Sequence, residues 1–424
     1  MSELVNYASG IPLALRVLGS SVQKIYINDE KEILRRLRQH PPIEIQDAFR
    51  KSFDGLHDNE KSIFLDLACF FRGENKDHVV NILDGCGFST DLGIYALIDE
   101  TLISLVDNSL EMPNIFQDTG RFVVCQENNK ASKRSRLWDS NDIADVLINN
   151  SGTEAIEGIF LDASGLTFEL NPTVFERMHR LRLLKLHCPT SEIHCKISLP
   201  QGLYYLPDEL RLLHWEKYPL GSLPRNFNPK NLVEMNMPYS NMTKLWKGTK
   251  NLEKLKRIIL SHSLQLIKFP RLSKAMNLEH IDLEGCTSLV KVNSSILHHH
   301  KLTFLSLKDC SHLRIMPTTV HLESLEVLNL SGCSELENLH DFSSNLKELY
   351  LAGTAIREMP SSIGDLTRLV TLDLENCKRL QHLPPSISNL KAMMTLKLSG
   401  CSNLKSLPVL DALFLRNSQR LDTR

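Results

Sequence analysis

The feature that most restricts this chain is a leucine pattern that returns at nearly constant spacing. The template L-x-x-L-x-L followed by N/C-x-x-L fits Leu278, Ile281, Leu283, Cys286 and Leu289, and again Leu302, Leu305, Leu307, Cys310 and Leu313. It recurs from Leu325 with Cys333, from Leu369 with Cys377 and from Met393 with Cys401, while the copy from Leu346 has Thr354 in the cysteine slot. Openings from Leu255 to Met393 lie 23, 24, 23, 21, 23 and 24 residues apart. Weaker copies open at Leu181, Leu210 and Leu232, and a degenerate one runs from Leu410 to Leu415. That is the signature of a leucine-rich-repeat solenoid. One repeat cannot bury its leucines alone, so neighbours stack into a curved array with a parallel sheet on the concave side.

The pattern also assigns the cysteines. Cys286, Cys310, Cys333, Cys377 and Cys401 fall in one turn slot, where a side chain donates to backbone carbonyls inside the coil. This regularity outweighs a metal or redox reading. Cys188 and Cys195 show no metal-knuckle spacing, and a disulfide framework is not expected for a chain read as intracellular. His298-His299-His300 lies between repeats and reads as a solvated convex loop. The variable strand positions define a candidate recognition surface containing Arg257, His280, Asp282, Phe304, Lys347, Tyr350 and Asp373. Phe304 and Tyr350 are expected to point into solvent, and exposed aromatics are enriched at binding hot spots.

The first 150 residues have another rhythm. Asp47–Leu56, Glu60–Phe71, Lys76–Leu83 and Leu97–Leu102 carry helical apolar spacing, with Asp58 and Asn75 as candidate N-caps. Ile103–Val106 and Leu110–Met112 flank Asp107-Asn-Ser109 as a hairpin does, and a further helix follows Asn114. Helices followed by a hairpin describe a winged-helix module. Its basic run, Lys130 to Arg136, is isolated and no recognition helix is rich in Arg or Lys, so no nucleic-acid partner is expected.

Specific motifs resemble one family, the plant intracellular disease-resistance receptors of the TIR–nucleotide-binding (NB-ARC)–leucine-rich-repeat type. They are Gly10-Ile-Pro-Leu-Ala-Leu15, Phe53-Asp-Gly-Leu56, Lys61 to Phe71, Cys86-Gly-Phe88 and Arg136-Leu-Trp138. Asp142-Ile143, Gly152-Thr153, Ile156-Glu-Gly158 and Leu212-Leu-His-Trp215 with Tyr218-Pro219 continue the likeness over the whole chain. The resemblance implies a multidomain protein, an α-helical winged-helix module followed by an α/β horseshoe. Residues 1–40 would be a remnant of the NB-ARC helical subdomain, 41–150 the winged helix, 151–180 a connector and 181–424 the repeats.

The departures from the family are informative. No G-x-x-x-x-G-K-[ST] phosphate loop occurs in the 424 residues, and no TIR domain with its catalytic glutamate. Pro12 resembles the proline that touches adenine in the family. Where the family has Met-His-Asp, this chain has Met112-Pro113-Asn114, and proline supplies neither an imidazole nor a backbone donor. Asn114 reads as an N-cap with Gln117 completing a capping box. Pro12, Met112 and Asn114 are thus at most the remnant of an ADP/ATP site, and no cofactor is expected.

Composition supports the same reading. Charged residues make up 23% and the net charge is −1, unlike a chain that coats nucleic acid or an anionic membrane. No apolar run spans a bilayer, and Ile11–Leu15, interrupted by Arg16 and preceded by Glu3, reads as a helix and not a signal peptide. The expectation is therefore a non-enzymatic, receptor-like protein of the cytoplasm, with the nucleus as a second location. Its partner would be a protein: a pathogen effector, a guarded host protein or missing receptor domains. The alternatives are a non-signalling repeat scaffold or decayed fragment, and part of a full-length ADP/ATP-binding, NAD-cleaving receptor.

Overall fold

A computed structural model describes residues 3–8, 10, 12, 14–17, 19, 30–189, 195–317, 319, 322–405 and 420–422. The chain divides into two compact units, one of residues 1–162 with 174–185 and one of residues 163–173 with 186–424.

The first unit is mainly helical. Helices α1 (Glu3–Ala8) and α2 (Glu30–Gln39) bury Tyr7, Ala8, Leu34 and Leu37 in one cluster with Ile45 and Ile115. α3 (Ile43–Gly55) and α4 (Asp58–Asp66) follow, and α4 runs into a π-helical turn, Leu67–Phe71, whose five residues are all buried. Asn75 caps α5 (Lys76–Gly85) by accepting from the His78 amide, as the sequence suggests, whereas α4 starts at Asp58 with His57 in the cap position. After α6 (Thr90–Asp99) comes an antiparallel hairpin, β1 (Ser104–Val106) and β2 (Ser109–Glu111). Asp107 and Asn108 take φ of 47° and 63° between its strands, the left-handed pair that a tight primed turn needs. α7 (Asn114–Glu127) packs against the π-turn so closely that a Cβ on Gly120 would lie 2.8 Å from Phe64 Cε1 and 2.9 Å from Ala68 Cβ.

The stretch read as a connector, 151–180, contains strand structure. β4 (Gly158–Asp162) pairs in parallel with β3 (Arg136–Leu137), with α8 (Ser140–Ile148) between them. Ile159 and Leu161 face inward, and Phe160 stacks on Phe70 at 4.4 Å between centroids. Parallel repeat-like strand pairing therefore begins well before Leu181. Beneath it sits a buried ion triad. Arg136 Nε lies 2.7 Å from Asp66 Oδ1, Arg182 Nη1 lies 2.9 Å from Oδ2, and the Asp66 side chain is fully buried. Burial would push the Asp66 carboxyl up, but the charges of Arg136 and Arg182 outweigh it and hold it below the ordinary carboxylate range.

In the second unit the repeats form a parallel ladder. Its strands are β8 (Leu212–Trp215), β9 (Glu234–Asn236), β10 (Arg257–Ile259), β11 (His280–Asp282) and β12 (Phe304–Ser306). β13 (Val327–Asn329), β14 (Glu348–Tyr350), β15 (Thr371–Asp373), β16 (Thr395–Lys397) and β17 (Arg420–Asp422) continue it in the same register. The middle residue of each strand from β9 to β16 is buried, from Met235 through Ile258, Leu328 and Leu396. Side chains alternate along a strand, so the two flanking residues face the opposite side. A separate short pair, β5 (Thr167–Glu169) and β7 (Lys196–Ser198), is also parallel. The expected copy from Leu410 to Leu415 lies outside the described residues.

The cysteine slot does what its spacing predicts. The thiols of Cys286, Cys310, Cys333, Cys377 and Cys401 donate to the carbonyls of Leu260, Leu283, Leu307, Leu351 and Leu374, at 3.3, 3.2, 3.2, 3.1 and 3.0 Å. Each bond runs to the repeat before. Thr354 instead bonds the Leu351 carbonyl of its own repeat at 2.8 Å. Burial pushes the Cys286 and Cys333 thiols up to about 12, which suits a structural role and not a reactive one.

Two expectations about special residues are corrected. Cys188, just after β6 (Leu183–His187), and Cys195, seven residues on, are disulfide-bonded, their Cα atoms 5.8 Å apart. Among the described residues, the other cysteines form no disulfide. Within the histidine run, His298 and His300 are exposed but His299 is fully buried, because it follows a 3-10 turn (Ser294–His298) that turns its side chain into the coil.

Candidate functional site

The open face of the ladder is built from two rows of side chains. Parallel register sets Glu234, Arg257, His280, Phe304, Val327, Glu348 and Thr371 side by side in one row. The other row runs Asn236, Ile259, Asp282, Ser306, Asn329, Tyr350, Asp373 and Lys397. Neighbouring strands lie about 4.8 Å apart, so residues adjacent in a row can touch.

The first row does touch. Arg257 Nε lies 3.2 Å from Glu234 Oε2, and the Glu234 side chain is only 3% exposed. His280 stacks flat on Phe304, with ring centroids 4.3 Å apart and planes 4° off parallel. Burial, reinforced by the nearby Arg257 charge, holds the His280 imidazole down at about 4. A neutral His280 keeps its ring against Phe304 at neutral pH. Glu234, Arg257, His280 and Phe304 thus form a continuous strip: a buried carboxylate, a half-exposed guanidinium and an aromatic pair.

The second row is largely committed to the turns. Asp282 Oδ1 accepts from the Glu284 amide at 2.9 Å, Asn329 Oδ1 from Ser331 at 3.0 Å and Asp373 Oδ1 from Glu375 at 3.0 Å. Each is an Asx turn that ends its strand. Asp373 is also buried and pairs with Lys397 at 3.2 Å, so it is a turn-builder and not an exposed recognition residue as its strand position suggests. Asp282 has the same employment, and burial pushes its carboxyl up.

Phe304 and Tyr350 do not form a joint aromatic patch. They occupy different rows, two strands apart, and both are half-buried where full exposure is expected. His280 covers one face of Phe304, and the Tyr350 hydroxyl donates to Glu348 Oε2 at 2.8 Å. Burial, together with that carboxylate, pushes the Tyr350 phenol up to about 12. Lys347 sits just ahead of β14 and pairs with Glu326 at 2.7 Å. The residue missed by sequence reasoning is Glu234. It stands in a weak repeat copy, and only the register shows that it meets Arg257.

The nucleotide-remnant residues are placed apart in function. Pro12 is exposed in a helical stretch and Met112 is buried. Asn114 is the first residue of α7 and not its cap: Pro113 holds the cap position, without a side-chain bond. The side chains of Asn114 and Gln117 both accept from Arg72 Nη1, at 2.6 and 2.7 Å, so the expected capping box is replaced by an arginine clamp. A guanidinium hydrogen bond is charge-assisted and outcompetes a neutral cap. The basic run is likewise tied inward, since Arg134 pairs with Asp142 at 2.9 Å and Arg136 with Asp66.

Comparison with known proteins agrees with this layout. Residues 57–128 match the model of the disease-resistance protein Roq1-like winged-helix domain. Residues 321–409 match the leucine-rich repeats of RPS4B-like disease-resistance proteins, and 231–250 a leucine-rich repeat. Disease resistance protein RPP2A of Arabidopsis thaliana is 65% identical over 381 residues, covering 90% of this chain and 29% of the relative. Disease resistance protein RRS1 of the same plant is 38% identical over 493 residues, covering 89% of this chain and 38% of the relative. The chain therefore spans about a third of the length of these relatives.

Proposed function

From the premise that the chain belongs to the plant disease-resistance protein family, we propose that it is a receptor-like segment of plant defence that acts by binding protein. The partner is a pathogen effector, a guarded host protein or another receptor domain. The strip Glu234–Arg257–His280–Phe304 carries this reading. It combines an arginine and an aromatic ring, the residue types that dominate binding hot spots, on a pre-ordered sheet that needs no rearrangement.

We also propose that this segment neither catalyses a reaction nor holds a nucleotide. Of its three candidate nucleotide residues, Pro12 is exposed, Met112 is buried and the Asn114 side-chain oxygen is taken by Arg72. Among the described residues no helix is long and apolar enough to cross a membrane. A cytoplasmic and nuclear location is part of the proposal.

Two measurements test the reading. The chain is co-expressed with the portions of RPP2A outside the 381 matched residues and co-precipitated. Arg257→Ala with Phe304→Ala should weaken capture by more than about tenfold, or about 1.4 kcal/mol, while Lys301→Ala should not. Equal capture of all three removes the strip from the binding surface. Isothermal titration with ADP and with ATP should give no saturable heat, and micromolar binding would overturn the nucleotide-free part.

A further inference from the structure

Ahead of the strip, two histidines and a glutamate converge on the same unit. His187 ends β6, His214 lies in β8 and Glu216 follows two residues later. Leu213 and Trp215 are buried, so strand alternation turns His214 and Glu216 together to the open face. Trp215 packs edge-on against the buried Tyr218 at 5.0 Å, which anchors the segment on both sides of Glu216. Glu216 Oε2 lies 2.9 Å from His187 Nδ1 and Oε1 lies 3.1 Å from His214 Nε2. The Cys188 amide donates to Oε2 at 2.9 Å and fixes the carboxylate. One ligand-type atom from each of the three residues lies within 4.8 Å of the others.

We propose that His187, His214 and Glu216 form a zinc site, with two imidazole nitrogens and one carboxylate oxygen as ligands and the fourth position open to water. The donor set decides the metal class. Calcium and magnesium prefer oxygen ligands, whereas two imidazoles with a carboxylate suit Zn²⁺. At Zn–N and Zn–O lengths of about 2.0–2.2 Å, tetrahedral ligand atoms stand about 3.4 Å apart. The present spacing brackets that value, so an ion needs side-chain rotation and no strand movement. The Cys188 amide would act as the outer-shell donor that orients the carboxylate. Access is open, since the His187 side chain is 41% exposed while those of His214 and Glu216 are 13% and 14% exposed. The Cys188 thiol is no ligand, being bonded to Cys195.

The test uses the full chain, freed of metal by chelator and dialysis. Zinc titration by calorimetry should show one saturable equivalent. Cobalt substitution should give the weak visible bands of a nitrogen–oxygen tetrahedral site without an intense thiolate charge-transfer band. His187→Ala, at a half-exposed position, should weaken zinc binding by more than about tenfold, as should Glu216→Gln. His298→Ala, in the histidine run, should change nothing. Circular dichroism confirms that each variant is folded. No saturable zinc uptake, a thiolate band, or unchanged affinity in His187→Ala would each overturn the site, and would leave an ordinary histidine–glutamate hydrogen-bond cluster.

Discussion

Asp66→Ala is the perturbation whose cost the structure defines best. The carboxylate is completely buried and takes three close contacts: Arg136 Nε at 2.7 Å, Arg182 Nη1 at 2.9 Å and Arg182 Nη2 at 3.0 Å. An exposed ion pair is worth at most about 1 kcal/mol. Removing one partner of a buried pair costs about 3–5 kcal/mol, because it strands the remaining charge. Here two guanidiniums would be stranded. Arg182 keeps Glu157 at 3.4 Å, while Arg136, 4% exposed, keeps only neutral contacts such as Ser135 Oγ at 2.9 Å and the Ser62 carbonyl at 3.2 Å among those seen. The upper part of that range is therefore expected. Repeat proteins need not unfold in one step, so the assay is hydrogen exchange by mass spectrometry on peptides spanning residues 62–71 and 136–147. At about 1.4 kcal/mol per decade, exchange of the protected amides should accelerate by about three to three and a half orders of magnitude at pH 7. Replacing all three charges, Asp66→Leu with Arg136→Met and Arg182→Met, should recover most of the protection. Because the folded carboxyl is depressed, the triad's contribution is complete above the unfolded value of about 3.9 and is lost as pH falls through the folded one. An acceleration below about fivefold for Asp66→Ala would falsify the view that this triad is desolvated and structural.

Two further outcomes follow from the second unit. Burial holds His299 at about 4 against an ordinary 6.5, so the unfolded chain takes up a proton first on acidification; the repeats should lose up to about 3 kcal/mol as pH falls from 6.5 to 4, and His299→Leu should remove that share of the slope in urea melts while the share from His280 stays. Cys333→Ala leaves the Leu307 carbonyl without its thiol donor and should cost about 1–3 kcal/mol, Cys333→Ser less because it keeps a donor; equal losses for the two in the same melts would show that volume, not the hydrogen bond, matters.

The parts of this fold that the sequence reveals are those held by contacts one repeat away. The leucine period is legible because each strand stacks only on its neighbours, so a chain offset of about two dozen residues is also the spatial offset. The cysteine slot is legible for the same reason, since every thiol reaches a carbonyl 26 or 27 residues back. One further position in the period carries meaning that composition hides. The residue before each slot is left-handed: Tyr239, His262, Gly285, Asp309, Gly332, Gly353, Asn376 and Gly400 all have φ between 57° and 76°. Glycine, asparagine and aspartate fit such a turn, but Tyr239 and His262 break the compositional signal. At Gly332 the demand is doubled, because a Cβ there would sit 2.1 Å from Asp309 Oδ1 of the previous turn.

Contacts beyond one repeat leave no such trace. The residues of the Asp66 triad are 70 and 116 positions apart, and each looks like an ordinary charge in its own helix or strand. Asn114 with Gln117 satisfies the local rule for a capping box, yet Arg72, more than forty residues earlier, takes both side chains. The binding face shows the intermediate case. The period places Phe304, Tyr350 and Asp373 beside the buried strand centres Leu305, Leu349 and Leu372. It cannot state how exposed they are, because exposure depends on the side chains in the adjoining rungs: His280 over Phe304, Glu348 beside Tyr350, Lys397 against Asp373. Once the register is known, reading across the strands replaces reading along the chain. The strip Glu234–Arg257–His280–Phe304 then emerges from four residues that no linear motif connects. A recognition surface on such a ladder is a property of rows, and substitutions should be chosen by row.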